Sequence, residues 1–266
     1  MTYLNRISQF IAGLLVLMTC IFSTQVSAYP VDMPKRAAPE TAQLALQHWQ
    51  AVLKTFVNEN GQVDFKALQA QPDDLEAYVA WVALYSPHTH PEMFKSKEIA
   101  LAYYLNSYNA LSMYNVLADD LPEDLGGFTK VDFFYLREMQ VGGKRISLYD
   151  YETDVIRPLG DPRTHFALNC MAVGCPQLPM VPFQANSLNA ELDKETRKFF
   201  SDPRNLKVDH DTKSIQLSEL IDFYPEDFLA KAPNLIAYLN RYLDTPIPED
   251  YEIEYIPYNW RVNQQP

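Results

Sequence analysis

The chain has 266 residues, is 47% hydrophobic and 13% aromatic, and carries a formal net charge of −12. That is enough apolar material for one sizeable core, and it excludes a disordered or low-complexity chain. The acidic balance, with no basic patch interleaved with aromatics, argues against nucleic acid as a partner.

The N-terminus reads as a secretory signal over residues 1–28. Arg6 gives a positive start, the run from Phe10 to Phe22 an apolar core, and Val26-Ser27-Ala28 a small-x-small cleavage site. The apolar run is too short for a comfortable membrane span. Cys20 offers a lipoprotein alternative, but Thr19 is a poor residue just before a lipid-bearing cysteine. The expectation is an exported protein, periplasmic or secreted, with no stable membrane span after cleavage. Residues 29–38 read as a mobile leader and 39–266 as a single globular domain, since no Gly/Ser linker interrupts them.

The first helix is expected over about 41–56, with Leu44, Leu46, Trp49, Leu53 and Phe56 inward. A turn at 57–61 leads to a short extended piece through Val63 and Phe65. A second helix runs from Asp73 or Asp74 to about Tyr85, with Leu75, Tyr78, Val79, Val82 and Leu84 inward. His88 and His90 follow in a proline-bracketed loop. Two histidines two apart can share a metal in extended backbone, but no third ligand stands nearby and a polar loop is the plainer reading.

Ser96 to Ala118 is the longest helical pattern and is apolar on most sides, which makes it the central buried helix. Asn106 and Asn109 share one of its faces and need partners if buried, either a neighbouring loop or an imidazole. Phe133 to Ser147 reads as a β-hairpin turning at Gly142-Gly143, and Leu148 to Arg157 as a short helix or turn carrying Glu152. Beyond Pro182 come a helix to about Ser201, a second hairpin turning at 210–213, two more helices over 218–228 and 232–242, and a strand-like aromatic end with Tyr258 and Trp260 as core or pocket wall. The fold class is α+β: a helix-rich single domain with small antiparallel hairpins or sheets around a central buried helix. A papain-like arrangement is one candidate form.

Chemistry concentrates in residues 161–176, D-P-R-T-H-F-A-L-N-C-M-A-V-G-C-P. The stretch holds His165, Asn169 and the two cysteines of the mature chain, Cys170 and Cys175. Four pieces of the sequence, A-Y-Y-L-N-S-Y-N-A-L (102–111), S-L-Y-D-Y-E-T-D-V-I-R (147–157), this stretch and Y-N-W-R-V-N (258–263), together resemble the domain of unknown function 547 family. Its members show an Asn-x-Tyr-Asn-Ala helix, a His-Phe-Ala-Leu-Asn-Cys…Ser-Cys-Pro block and a terminal Tyr-Asp-Trp segment. The similarity spans roughly residues 95–263 and implies an exported bacterial member. Three departures stand out: Thr153 where the family has His after Glu, Gly174 where Ser precedes the second Cys, and Asn259 where Asp is usual.

Two functional readings follow from the residues themselves. In the first, Cys175 or Cys170 is a nucleophile, His165 its general base, and Asn106, Asn109 or Glu152 orients the ring, as in Cys-His-Asn enzymes. The reaction would be hydrolysis or transfer of an acyl or peptidyl group. His165 and Cys170 are an odd number apart, so in a strand they would face opposite sides and a bend at Asn169 is required. In the second reading, Cys170–Cys175 is a structural disulfide, which suits an oxidising compartment. The chain is then a non-catalytic module for a small ligand or a protein, its pocket lined by Asn106, Arg163, Asn169, Tyr258 and Trp260. Arg163 pairs with Asp161 or Glu152 on structural grounds in either case. A zinc site from His165, Cys170 and Cys175 lacks a fourth ligand, so no metal and no cofactor is expected.

Overall fold

The computed structural model describes residues 27–266. The expected signal segment therefore lies, save its last two residues, outside the described residues. The chain is helix-rich with two three-stranded sheets, the helix-rich α+β domain read from the sequence.

The first layer comprises α1 (Ala42–Phe56), α2 (Phe65–Ala70) and α3 (Asp73–Leu84). Thr41 caps α1 by accepting from the Leu44 N–H. The buried face of α1 is Ala45, Trp49, Val52, Leu53 and Phe56; Leu44, expected inward, is 42% exposed because it lies one position off that stripe. Leu84, at the last turn of α3, is likewise 50% exposed rather than inward. The piece through Phe65 is not extended: Asp64 accepts from the Ala67 N–H and starts α2 there. Trp49, Tyr78, Trp81 and Tyr85 stack in series, with centroids 5.5–6.3 Å apart, and lock α1 to α3.

Helix α4 (Lys97–Ala118), capped by Ser96, is the buried centre. Five polar residues are buried along it, Asn106, Ser107, Asn109, Ser112 and Asn115, and its asparagines act as pegs for surrounding loops. Asn106 donates to the Phe183 carbonyl at 2.8 Å and accepts from the Phe183 N–H at 2.9 Å. Asn109 does the same for the Ala167 carbonyl and the Asn169 N–H. Asn115 holds the Phe133 carbonyl.

Next come α5 (Gly127–Val131), running directly into a π-helical turn, Asp132–Leu136, and then the hairpin β2 (Arg137–Val141) and β3 (Lys144–Ser147). The hairpin begins four residues later than the aromatic run at Phe133 suggests, since that run continues the helix. Gly142 and Gly143 take positive φ at the turn and donate to the Val82 and Ala83 carbonyls, which α3 leaves unpaired at its end. Strand β1 (Tyr29–Pro30) pairs in parallel with β2. The leader stretch is therefore in contact with the body at this point, and Tyr114 further donates to the Asp32 carbonyl.

Short helix α6 (Leu148–Asp150) passes into a second π-helical turn, Tyr151–Ile156. A 3-10 turn, Pro162–Phe166, then carries His165. The second half of the chain forms α7 (Leu188–Ser201), the hairpin β4 (Leu206–Asp209) and β5 (Ser214–Ser218), the short helices α8 (Leu220–Phe223), α9 (Pro225–Leu229) and α10 (Leu235–Leu239), and β6 (Glu252–Ile256). Strand β6 adds to β5 in parallel, so each sheet is an antiparallel hairpin with one parallel strand beside it. The halves keep distinct apolar clusters, one around α1, α3 and α4, the other around Phe166, Phe199, Phe200, Ile215 and Phe228. Tyr258 packs against both. The seam between them holds the site.

Candidate functional site

Residues 161–176 cross this seam, and buried backbone contacts fix their path. Asp161 caps the 3-10 turn through the Arg163 N–H. Past Phe166 the chain is gripped by Asn109. Asn169 then folds the next segment on itself, donating to the Pro176 carbonyl at 2.6 Å and accepting from the Met171 N–H at 2.7 Å. The latter contact supports a left-handed Met171, φ +68°. On the outside, the C-terminal segment runs antiparallel to the loop: Val173 and Gly174 donate to Arg261 and Asn259, and Asn263 donates to Met171. Gly174 sits so close to Tyr258 that a Cβ there would stand 2.9 Å from its ring. That contact leaves little room for a side chain at position 174.

Cys170 and Cys175 are joined as a disulfide with Cα atoms 6.2 Å apart. Cys175 Sγ also accepts from the Cys170 N–H and from the Tyr258 hydroxyl, each at 3.0 Å. The pair forms part of the wall of a cavity of about 410 Å3. The bend at Asn169 brings His165, Cys170 and Cys175 to this one cavity, together with Glu152, Tyr258 and Trp260 from the sequence reading. Phe134, Phe223 and Tyr224 complete much of its aromatic lining, and Lys130 and Arg157 supply cations. Tyr258 and Trp260 form part of the wall.

The His165 side chain is 1% exposed. Its ring stacks on Tyr224 at 4.4 Å, and the Arg157 guanidinium lies 4.7 Å over the same ring. His165 Nε2 is 2.8 Å from Asp227 Oδ2, which Arg157 also engages at 2.7 Å. Burial alone would raise the Asp227 carboxyl, but the hydrogen bonds from His165 and Arg157 outweigh it and hold it well below the usual carboxylate range. Asp227 is therefore ionised and accepts, which places the Nε2 proton on His165. The other ring nitrogen, Nδ1, has no hydrogen-bond partner and faces Glu152 Oε1 across 3.7 Å.

Glu152 is 13% exposed and accepts from the Tyr108 hydroxyl at 3.2 Å. Burial first, and then the Glu152 charge, push Tyr108, Tyr224 and Tyr258 up, so all three stay protonated donors.

The remaining sequence candidates lie elsewhere. Asn109 and Asn169 spend their amides on backbone groups, and Asn106 on the Phe183 backbone and the Trp49 indole, so no asparagine orients the imidazole. Arg163 pairs with Asp161 and Asp193 outside the cavity. Thr153 has no counterpart role, since the imidazole beside Glu152 is that of His165. The orienting carboxylate is Asp227, which the sequence reading missed. It lies 62 residues on from His165 in a Pro-Glu-Asp helix start, and only the Asp-His residue types hinted at it. His88 contacts Lys144 and His90 contacts Thr89. Among the described residues no group of three or more His, Cys, Asp or Glu side chains is arranged to hold a metal ion. Nor is any described helix long and apolar enough to cross a membrane.

The molecule is thus a helix-rich α+β protein with an aromatic, carboxylate-centred cavity at the seam of two cores. Residues 92–200 match the family described as protein of unknown function DUF547. The match covers α4, both π-helical turns, the cysteine loop and most of α7, and it ends before Tyr258 and Trp260. No curated protein and no solved structure matches the chain.

Proposed function

We propose that this is an exported binding module that holds a small organic molecule in the seam cavity, with Cys170–Cys175 bracing the cavity wall. The observation that carries this reading is the commitment of the would-be catalytic atoms. The two sulfurs are bonded to each other, and His165 Nε2 is given to Asp227. What remains is a concave aromatic site with a few convergent polar groups, the usual form of a small-molecule site.

A second reading, thiol-dependent hydrolysis or acyl or peptidyl transfer, has one specific support. Cys170, Cys175, His165 and Glu152 line the same cavity, and Cys175 Sγ already has two hydrogen-bond donors that would favour a thiolate after reduction. Alkylation of the natively exported protein with a mass-shifting reagent separates the two. No labelling before reduction supports the binding module. One cysteine labelled well below pH 8, with the reactivity lost in His165→Ala, overturns it in favour of the thiol enzyme.

A further inference from the structure

The charge inside the cavity is unbalanced at Glu152. Among the described residues no lysine or arginine pairs with this carboxylate; its contacts are tyrosine hydroxyls and an imidazole nitrogen beyond hydrogen-bond length. The cations that reach the cavity are held by groups other than Glu152. Arg157 is bound by Asp227 and Glu226, and the Lys130 ammonium rests 4.2 Å over the Trp260 ring and 5.5 Å over Phe223. A carboxylate drawn partly out of water favours a counter-charge beside it. Next to Glu152, His165 Nδ1 has no hydrogen-bond partner.

The walls favour the same sign of ligand. Ring faces attract cations, as the chain itself shows here: Lys130 lies over both Trp260 and Phe223, and Arg157 over Tyr224. An ammonium brings up to three N–H donors and no acceptor. It brings to Glu152 the cation that no described lysine or arginine supplies, with N–H donors within reach of the carboxylate, while its carbon skeleton lies against aromatic rings. A carboxylate ligand would meet Glu152 as a like charge, and a neutral alcohol would leave the charge uncompensated.

We propose that the cavity is a site for a small organic amine, with the ammonium against Glu152 and the apolar part between the aromatic walls. This rests on the reading of the cavity as a binding site and names its ligand class. The test uses three probes with one skeleton, phenethylamine, 2-phenylethanol and phenylacetate, titrated calorimetrically into the mature disulfide-bonded protein and into Glu152→Gln. Phenethylamine is expected to bind at least about tenfold more tightly than either matched probe, and the preference is expected to vanish in E152Q. The wild-type ranking decides even where E152Q fails to fold. If the alcohol or the carboxylate binds as well as the amine, the amine assignment is overturned and the binding reading stands. Silence from all three probes overturns both.

Discussion

His165 is held from both sides by carboxylates of unequal character. Asp227 is tied by His165 and Arg157 and stays ionised far into acid, whereas Glu152 looks into the cavity with only neutral donors. The Asp227 contact therefore contributes to stability in a predictable pH window. A carboxyl whose value is lower in the folded than in the unfolded chain stabilises in full above its unfolded value, about 3.9. The stabilisation is lost as pH falls through the folded value. Asp227→Asn should therefore lower the urea midpoint at neutral pH, and its deficit relative to wild type should shrink steadily below about pH 4. A deficit that stays constant from pH 7 to pH 2 would show that ionisation of Asp227 is not what the variant removes.

At the scale of elements, the cavity depends on α4 more than on the segments that line it. Asn109 reaches out of a buried helix and makes two backbone hydrogen bonds to the loop between His165 and Cys170, which has no regular partner strand. Asn109→Ala leaves the Ala167 carbonyl and the Asn169 N–H unpaired in the interior. At roughly 1–3 kcal/mol for each unsatisfied group, the loss should be about 2–6 kcal/mol by urea unfolding, and a loss under about 1 kcal/mol would mean that the loop is held by other contacts. This arrangement was half legible in the sequence. Buried amides three apart on an apolar helix demand partners, and a loop was the plainer choice. The partner itself was not legible, because the Asn side chain pairs with backbone, which carries no residue signature. The aromatic run at Phe133 misled for a related reason: a short apolar run fits strand and buried helix alike, and only the packing of α5 and its π-helical turn decides.

For the molecule as a whole, the sequence disclosed the composition of each core but not the seam between them. Helix α4 announced itself by length and hydrophobicity, and residues 161–176 by their reactive side chains. The cavity arises because those residues and the C-terminal segment run side by side where two clusters meet, a long-range pairing that no local pattern encodes. Phe166 is the clearest hinge of that meeting. It neighbours His165 and the Asn109-held loop, yet its ring packs with Phe199, Phe200 and Phe228 at 4.8, 5.0 and 5.8 Å. Replacing it with alanine removes the largest side chain that the 161–176 segment contributes to the second core. The expected cost is about 3–5 kcal/mol, partly from the cavity left behind. Because the first core keeps its own stack of Trp49, Tyr78 and Trp81, the loss should be uneven across the molecule. In Phe166→Ala, amide hydrogen exchange in α7 and β5 should accelerate well beyond that in α3. Equal acceleration in both halves would instead mean that the two clusters unfold as one unit, with the seam no weaker than either core.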